Sequence, residues 1–121
     1  MSVFINLSNH PAEKWDLKQM EAALEYGELV EIAFPPINPH FTDEELDQLV
    51  AAYYEKVTAY EDPVVMLQGE FVFTFRLTTL LKRAGIKVVA GCSERRAIEF
   101  VDEDGNHVRR SVFEFVKFRD Y

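Results

Sequence analysis

Short uncharged runs alternate along this chain with longer stretches whose apolar positions recur at helical spacing. Ser2–Leu7 carries no charge, as expected of a central strand buried on both faces. Ser8-Asn9-His10-Pro11 breaks it, and Pro11 suits a first helical residue because its missing N–H would have no partner there. Leu17, Met20, Ala23 and Leu24 then form one helical stripe ending near Gly27. Leu29–Phe34 predicts a second strand, stopped by Pro35-Pro36. Thr42-Asp43-Glu44-Glu45 has the form of a capping box: a hydroxyl at the cap and a carboxylate three residues on. The helix it opens carries Leu46, Leu49, Val50, Tyr53, Val57 and Tyr60 on one face.

Pro63–Leu67 predicts a third strand and Ile86–Ala90 a fourth. Between them, Glu70–Leu81 sends two signals. Phe71, Phe73 and Phe75 alternate as in a strand, yet a parallel crossover needs a helix here. Lys82 and Arg83 followed by Gly85 fit a helix C-terminus. The helix is preferred. Arg95–Asp102 and His107–Phe118 flank Glu103-Asp104-Gly105-Asn106, whose Asp-Gly pair suits a hairpin turn. The order is βαβαβαβ plus a hairpin. It predicts an α/β protein, a Rossmann-like three-layer sandwich of four mostly parallel strands, three crossover helices and a C-terminal antiparallel β-hairpin.

A chain of 121 residues, 48% hydrophobic and without repeat or low-complexity segment, fits a single domain spanning 1–121. No apolar run reaches the roughly 18–20 residues of a membrane span. The start carries no signal-peptide pattern, and Cys92 is the only cysteine, so a cytoplasmic location and no intrachain disulfide are expected. The net charge of −8 argues against long nucleic acid or an anionic membrane as partner. Residues 1–62 hold 3 Lys/Arg and 13 Asp/Glu; residues 63–121 hold 10 and 8. An anionic ligand would therefore fall to the second half or to backbone amides.

In an open parallel sheet, ligands bind outside the carboxyl ends of the strands. That rule collects Ser8, Asn9 and His10 after strand one, Pro35 to Asn38 after strand two, Gln68-Gly69-Glu70 after strand three and Ser93 to Arg96 after strand four. The helices after strands one and three would aim free N–H groups into the crevice. Gly69 would allow close approach to the backbone, Arg95 or Arg96 a forked contact to phosphate, and Asn9 and Gln68 amides for a base or ribose. A small nucleotide-like phosphate ligand is the expectation. His10 is the best catalytic candidate, since imidazole moves protons near neutral pH; capping or packing is the alternative. Ser8 and Ser93 lack a nucleophile elbow, and Glu70 reads first as a carboxylate at a helix start. No dinucleotide or phosphate-loop motif is present. The histidines His10, His40 and His107 are too scattered for a local metal motif, so neither metal nor cofactor is expected. Trp15, Phe71, Phe73, Phe75 and Cys92 read as core.

"FINLSNHP", "MLQGEFVFTFRL" and "GIKVVAGCSER" resemble segments of small stand-alone CRISPR-associated Rossmann-fold (CARF-like) proteins, a group that includes the ring nucleases. The resemblance covers most of residues 3–95 and rests on layout more than on one diagnostic motif. It implies a homodimer binding a cyclic oligoadenylate over its two-fold axis, with Ser8, Asn9, His10, Gln68, Gly69, Ser93 and Arg95 near the ligand. It also implies metal-independent cleavage by ribose 2′-hydroxyl attack, His10 assisting the leaving oxygen and Arg95 stabilising charge. A strongly basic pocket is not evident in so acidic a chain. Two other classes compete: a non-catalytic interaction or sensor module whose acidic first half meets a basic partner, and another small phosphate-ester hydrolase using the same crevice.

Overall fold

The structure, a computed structural model, describes residues 2–121. It is an α/β protein in which five strands, β1 (Val3–Ser8), β2 (Glu28–Glu31), β3 (Pro63–Gln68), β4 (Lys87–Val101) and β5 (His107–Asp120), form one mixed sheet in the order β2-β1-β3-β4-β5. β1 pairs in parallel with β2 and β3, and β3 with β4; β5 alone runs antiparallel, along β4. The helices α1 (Leu17–Tyr26), α2 (Asp43–Thr58) and α3 (Phe71–Arg83) make the three crossovers.

Strand alternation sorts the core into two layers. Ile5, Leu7, Val65, Leu67 and Val88 pack with Leu46, Val50 and Val57 of α2 and Phe73, Leu77 and Leu81 of α3. Their neighbours Phe4, Met66 and Val89 face the other way, onto Ala23 of α1 with Trp15, Tyr26 and Phe118 around them. Both faces of β1 and β3 are therefore covered, which is why those strands read as uncharged runs. Each such fully buried side chain contributes about 1.5–3 kcal/mol.

The capping box at α2 is formed: the Thr42 hydroxyl accepts from the Glu45 N–H and the Glu45 carboxylate from the Thr42 N–H, both at 3.1 Å. The segment around the three phenylalanines is helical, as the crossover required. At two residues apart on a helix, Phe73 turns to the core while Phe71 and Phe75 share the opposite face and stand 88% and 72% exposed.

Several expectations need correction. The fourth strand and the first arm of the hairpin are one continuous strand, β4, so Ser93 to Arg96 lie in a strand, not a loop. Polar residues there suggested a loop. They lie instead on a ribbon of β4 and β5 that runs beyond the sheet, open to solvent on both faces, where burial imposes no apolar pattern. Its turn is closed by Asp102, whose Oδ1 accepts from the N–H groups of Asp104 and Asn106, with Gly105 at φ +80°. α1 begins at Leu17 instead of Pro11, after a short 3-10 turn over Ala12–Lys14. Of its expected stripe only Ala23 is fully buried; Leu17 is 73% exposed, as α1 packs through its Gln19, Met20, Ala23 and Tyr26 side. β2 ends at Glu31, where its pairing with β1 stops.

Candidate functional site

The carboxyl ends of β1, β3 and β4 open onto a cleft of about 600 Å³ on the α1 face of the sheet. Its floor is Met66, Gln68 and Gly91, where β3 and β4 part: their backbone pairing ends at Met66 and Val89. Beyond that point the Gln68 carboxamide replaces the backbone. Its Oε1 accepts the Gly91 N–H at 2.7 Å, bridging two strands that diverge because β4 continues into the ribbon. One wall is the loop after β1, with Asn9, His10, Pro11, Lys14 and Trp15. The other is the base of the ribbon, with Ser93, Phe113 and Phe115; Asp16 and Gln19 close the α1 side.

A buried polar network shapes the first wall. Asn6, within β1 and almost fully buried, donates from Nδ2 to the His10 carbonyl and to Glu31 Oε1, both at 3.0 Å. Ser8 donates to Asn6 Oδ1 at 2.6 Å, and its oxygen accepts the His10 N–H at 3.1 Å. The Trp15 indole N–H also ends on the His10 carbonyl. The chain at His10 is thus fixed through its backbone while the imidazole stands exposed. A rigid backbone under a free side chain is what a binding loop needs.

The helix starts differ from the sequence expectation. Asp16 caps α1, accepting the Gln19 N–H at 2.8 Å, and its second oxygen accepts the Phe115 N–H at 3.3 Å, tying β5 to α1. Glu70 caps α3, accepting the Phe73 N–H at 2.7 Å. At each N-terminus one of the chain's own carboxylates already accepts a helix N–H and sets a negative charge there, which works against a phosphate at that position. Lys14 is the cation in the cleft lining.

Asn9, His10, Gln68 and Ser93 are brought together in this cleft. Ser8 is not in it; its hydroxyl is consumed within the network and lines a second hollow, with Glu31 and Phe34, across β1. Gly69 lies against the Phe34 ring, where a β-carbon would come within 2.3 Å, so its smallness serves packing. Arg95 sits outside the lining, on the ribbon. It pairs across from Phe113, and its guanidinium donates to the Ser111 hydroxyl. Arg96 faces the other side and is held by Glu114 at 2.9–3.0 Å, which raises its pKa further.

Lys14, Trp15, Gln19, Phe113 and Phe115 belong to the cleft but were not singled out as site residues by sequence. Trp15 and Lys14 stand next to the loop after β1, and their nearness to it was a usable signal. Phe113 and Phe115 gave none, because only the β4–β5 register brings Phe115 back beside Ser93 and Phe113 beside Arg95. Among the described residues no group of His, Cys, Asp and Glu is arranged to hold a metal ion, and no helix is long and apolar enough to cross a membrane.

Sheet order, crossovers and cleft define an α/β protein with a ligand-sized hollow at the parallel strand ends. The chain belongs to the family described as Uncharacterized protein MJ1673 family, whose model matches residues 2–119. That match runs through the ribbon as well as the α/β body, so both are parts of the family's common unit. A search of curated proteins returned no match.

Proposed function

We propose that the cleft binds a small nucleotide-type phosphate ligand, with a cyclic oligoadenylate as the specific candidate. The observation that carries this reading is the pairing of aromatic and polar walls in one hollow of suitable size. Trp15 and Phe113 offer faces on which a base can stack, Asn9, Gln19 and Gln68 offer amides for base edges or ribose, and Lys14 offers a cation for phosphate. The Rossmann-like reading of the sheet supports the same location, since ligands of such sheets sit at the strand ends. So does the resemblance to CARF-like proteins in the segments that build the floor and the first wall.

Cleavage is the finer part of the proposal. In a ring-nuclease reaction a ribose 2′-hydroxyl oxygen attacks its adjacent 3′-phosphorus and gives up its proton to solvent, the P–O5′ bond breaks to leave a 2′,3′-cyclic phosphate, and a proton is delivered to the leaving 5′-oxygen. His10 is the cleft residue whose imidazole could give that proton. Arg95 would have to leave Ser111 to reach the phosphate, so charge stabilisation passes to Lys14 in this account. The test is a thermal-shift screen against cyclic tetra- and hexa-adenylate, with linear oligoadenylate, AMP and ATP as controls. A shift with one ring, growing as RT ln(1 + [L]/Kd), is expected; no shift with any of them would sink the nucleotide reading. Given binding, His10→Ala should cost about 10²–10⁴ in turnover while affinity survives. Unchanged turnover removes His10 from catalysis.

A second reading, an interaction module without chemistry, has an observation of its own. The exposed phenylalanines of α3 lie away from the cleft, on a face that nucleotide binding does not explain.

A further inference from the structure

Two apolar surfaces are uncovered among the described residues. The first is the outer face of α3, where Phe71 and Phe75 stand largely in solvent beside the less exposed Val72 and Leu80. Thr74 and Thr78, both more than nine-tenths buried, line a hollow of about 500 Å³ between these phenylalanines, and their hydroxyls have no hydrogen-bond partner among the described residues. The second surface is on the ribbon. From Glu94 and Glu114 outward, register and alternation put Ile98, Phe100, Val108 and Val112 on the face opposite to Phe113. Ile98 and Phe100 are more than 40% exposed. A two-stranded ribbon alone is marginal in water, yet this one runs eight or so pairs beyond the sheet, about 25 Å at 3.3 Å per residue.

We infer that the protein forms a two-fold dimer in which each copy's ribbon lies, by its Ile98–Phe100 face, on the Phe71–Phe75 face of the other copy's α3. Three observations select a second copy over an unrelated partner. The two uncovered surfaces are matched in chemistry and carried by the same chain, so one isologous contact covers both at once. Their charges also match. Arg110, beside Ile98 on the ribbon, has no ion pair among the described residues, while the acidic start of α2, with Asp43, Glu44 and Asp47, borders α3 through Arg76. The area is sufficient. With roughly 200 Å² for a whole aromatic side chain, Phe71, Phe75, Ile98 and Phe100 expose about 500 Å² per copy, so a dimer covers on the order of 1,000 Å² from them alone against a standard interface of about 1,600 Å². This inference does not rest on the nucleotide reading, and its interface lies across the sheet from the cleft.

The test is sedimentation of the full-length protein over a concentration series, with two double variants and their mixture. The wild type is expected to sediment as a dimer at micromolar concentration. Phe71→Ser with Phe75→Ser, and separately Ile98→Lys with Phe100→Lys, should each weaken dimerisation by about a hundredfold or more, since central aromatic anchors dominate such contacts. Circular dichroism checks that each variant keeps its helices and sheet. An equimolar mixture of the two variants should regain dimer, because it retains one intact ribbon-on-α3 contact. A wild type monomeric at about 100 μM, well above the range of stable complexes, overturns the inference. So does a dimer indifferent to both variants. A dimer lost only with the ribbon variant, without rescue in the mixture, would mean ribbon against ribbon and equally overturns it.

Discussion

Tyr121 shows how much one residue can do through side chain and backbone together. Its hydroxyl donates to the Leu67 carbonyl at 2.6 Å, its backbone N–H donates to the Val88 carbonyl, and the Lys82 ammonium reaches its carbonyl. Burial raises its phenol pKa above the ordinary value of 10. The folded state then holds the neutral phenol at a pH where the unfolded chain has begun to ionise. Stability from this group is therefore intact below pH about 10 and falls as pH rises through the folded pKa. Lys87, raised by its bond to Asp120, loses its contribution in a similar alkaline window, so the two must be separated. Tyr121→Phe is expected to flatten the loss of stability above pH 10 relative to the wild type, measured by urea midpoints from pH 8 to 11. It should also cost about 1 kcal/mol at pH 8 through the lost hydrogen bond. Parallel pH curves for the two proteins would refute the assignment. Gly69 gives a second lesson at this scale: a glycine expected to admit a ligand is instead filled by Phe34.

Helix α3 decides the element scale. Its three alternating phenylalanines suggested a strand by themselves, and the need for a crossover outweighed them. On the helix, the alternation becomes a division of labour between Phe73 in the core and Phe71 and Phe75 outside. Phe73 meets Phe34 and Tyr53 edge-on at 5.2 and 5.6 Å. Phe73→Ala should cost about 3–5 kcal/mol in unfolding free energy. Phe71→Ala and Phe75→Ala should each stay within about 0.5 kcal/mol in the monomer. Chemical denaturation in dilute solution separates these cases, and a large cost at Phe71 would contradict an exposed outer face. The same contrast bears on β4. Val88 and Val89 are packed between layers and marked that part of the strand plainly, whereas the continuity of β4 through Ser93 to Arg96 into the hairpin arm was not legible, because neither face of the ribbon is buried.

At the scale of the whole molecule, the body and the ribbon rest on different supports. The body is held by two apolar layers on one sheet, and the ribbon by its own ladder and the tie from Asp16 to Phe115. Amide exchange should separate them. β1 and β3 are expected to exchange near the global unfolding limit, and residues 95–112 far faster in any monomeric form, by at least about a hundredfold. In the dimer inferred above, the ribbon's protection should rise with protein concentration. Protection of the ribbon equal to that of β1 in a dilute monomer would refute this division.

The succession of strands and helices in the βαβ units, the capping box at Thr42 and a hollow at the strand ends near Asn9, His10 and Gln68 were legible in the chain, while the order of the strands in the sheet was not. They depend on short-range rules: uncharged runs mark strands covered on both sides, hydroxyl and carboxylate three apart mark a helix start, and parallel strands leave their carboxyl ends together. The composition of the cleft was less legible. Phe115 reaches Ser93 only through a ladder spanning the length of the ribbon, and Arg95 is turned to Ser111 by the same ladder. The sequence by itself determined the α/β body, because burying both faces of a sheet writes its pattern into neighbouring residues. Only the tertiary structure decided the continuous β4, the second wall of the cleft and the uncovered face of α3, because pairing between distant residues that are not buried leaves no periodic trace in the chain.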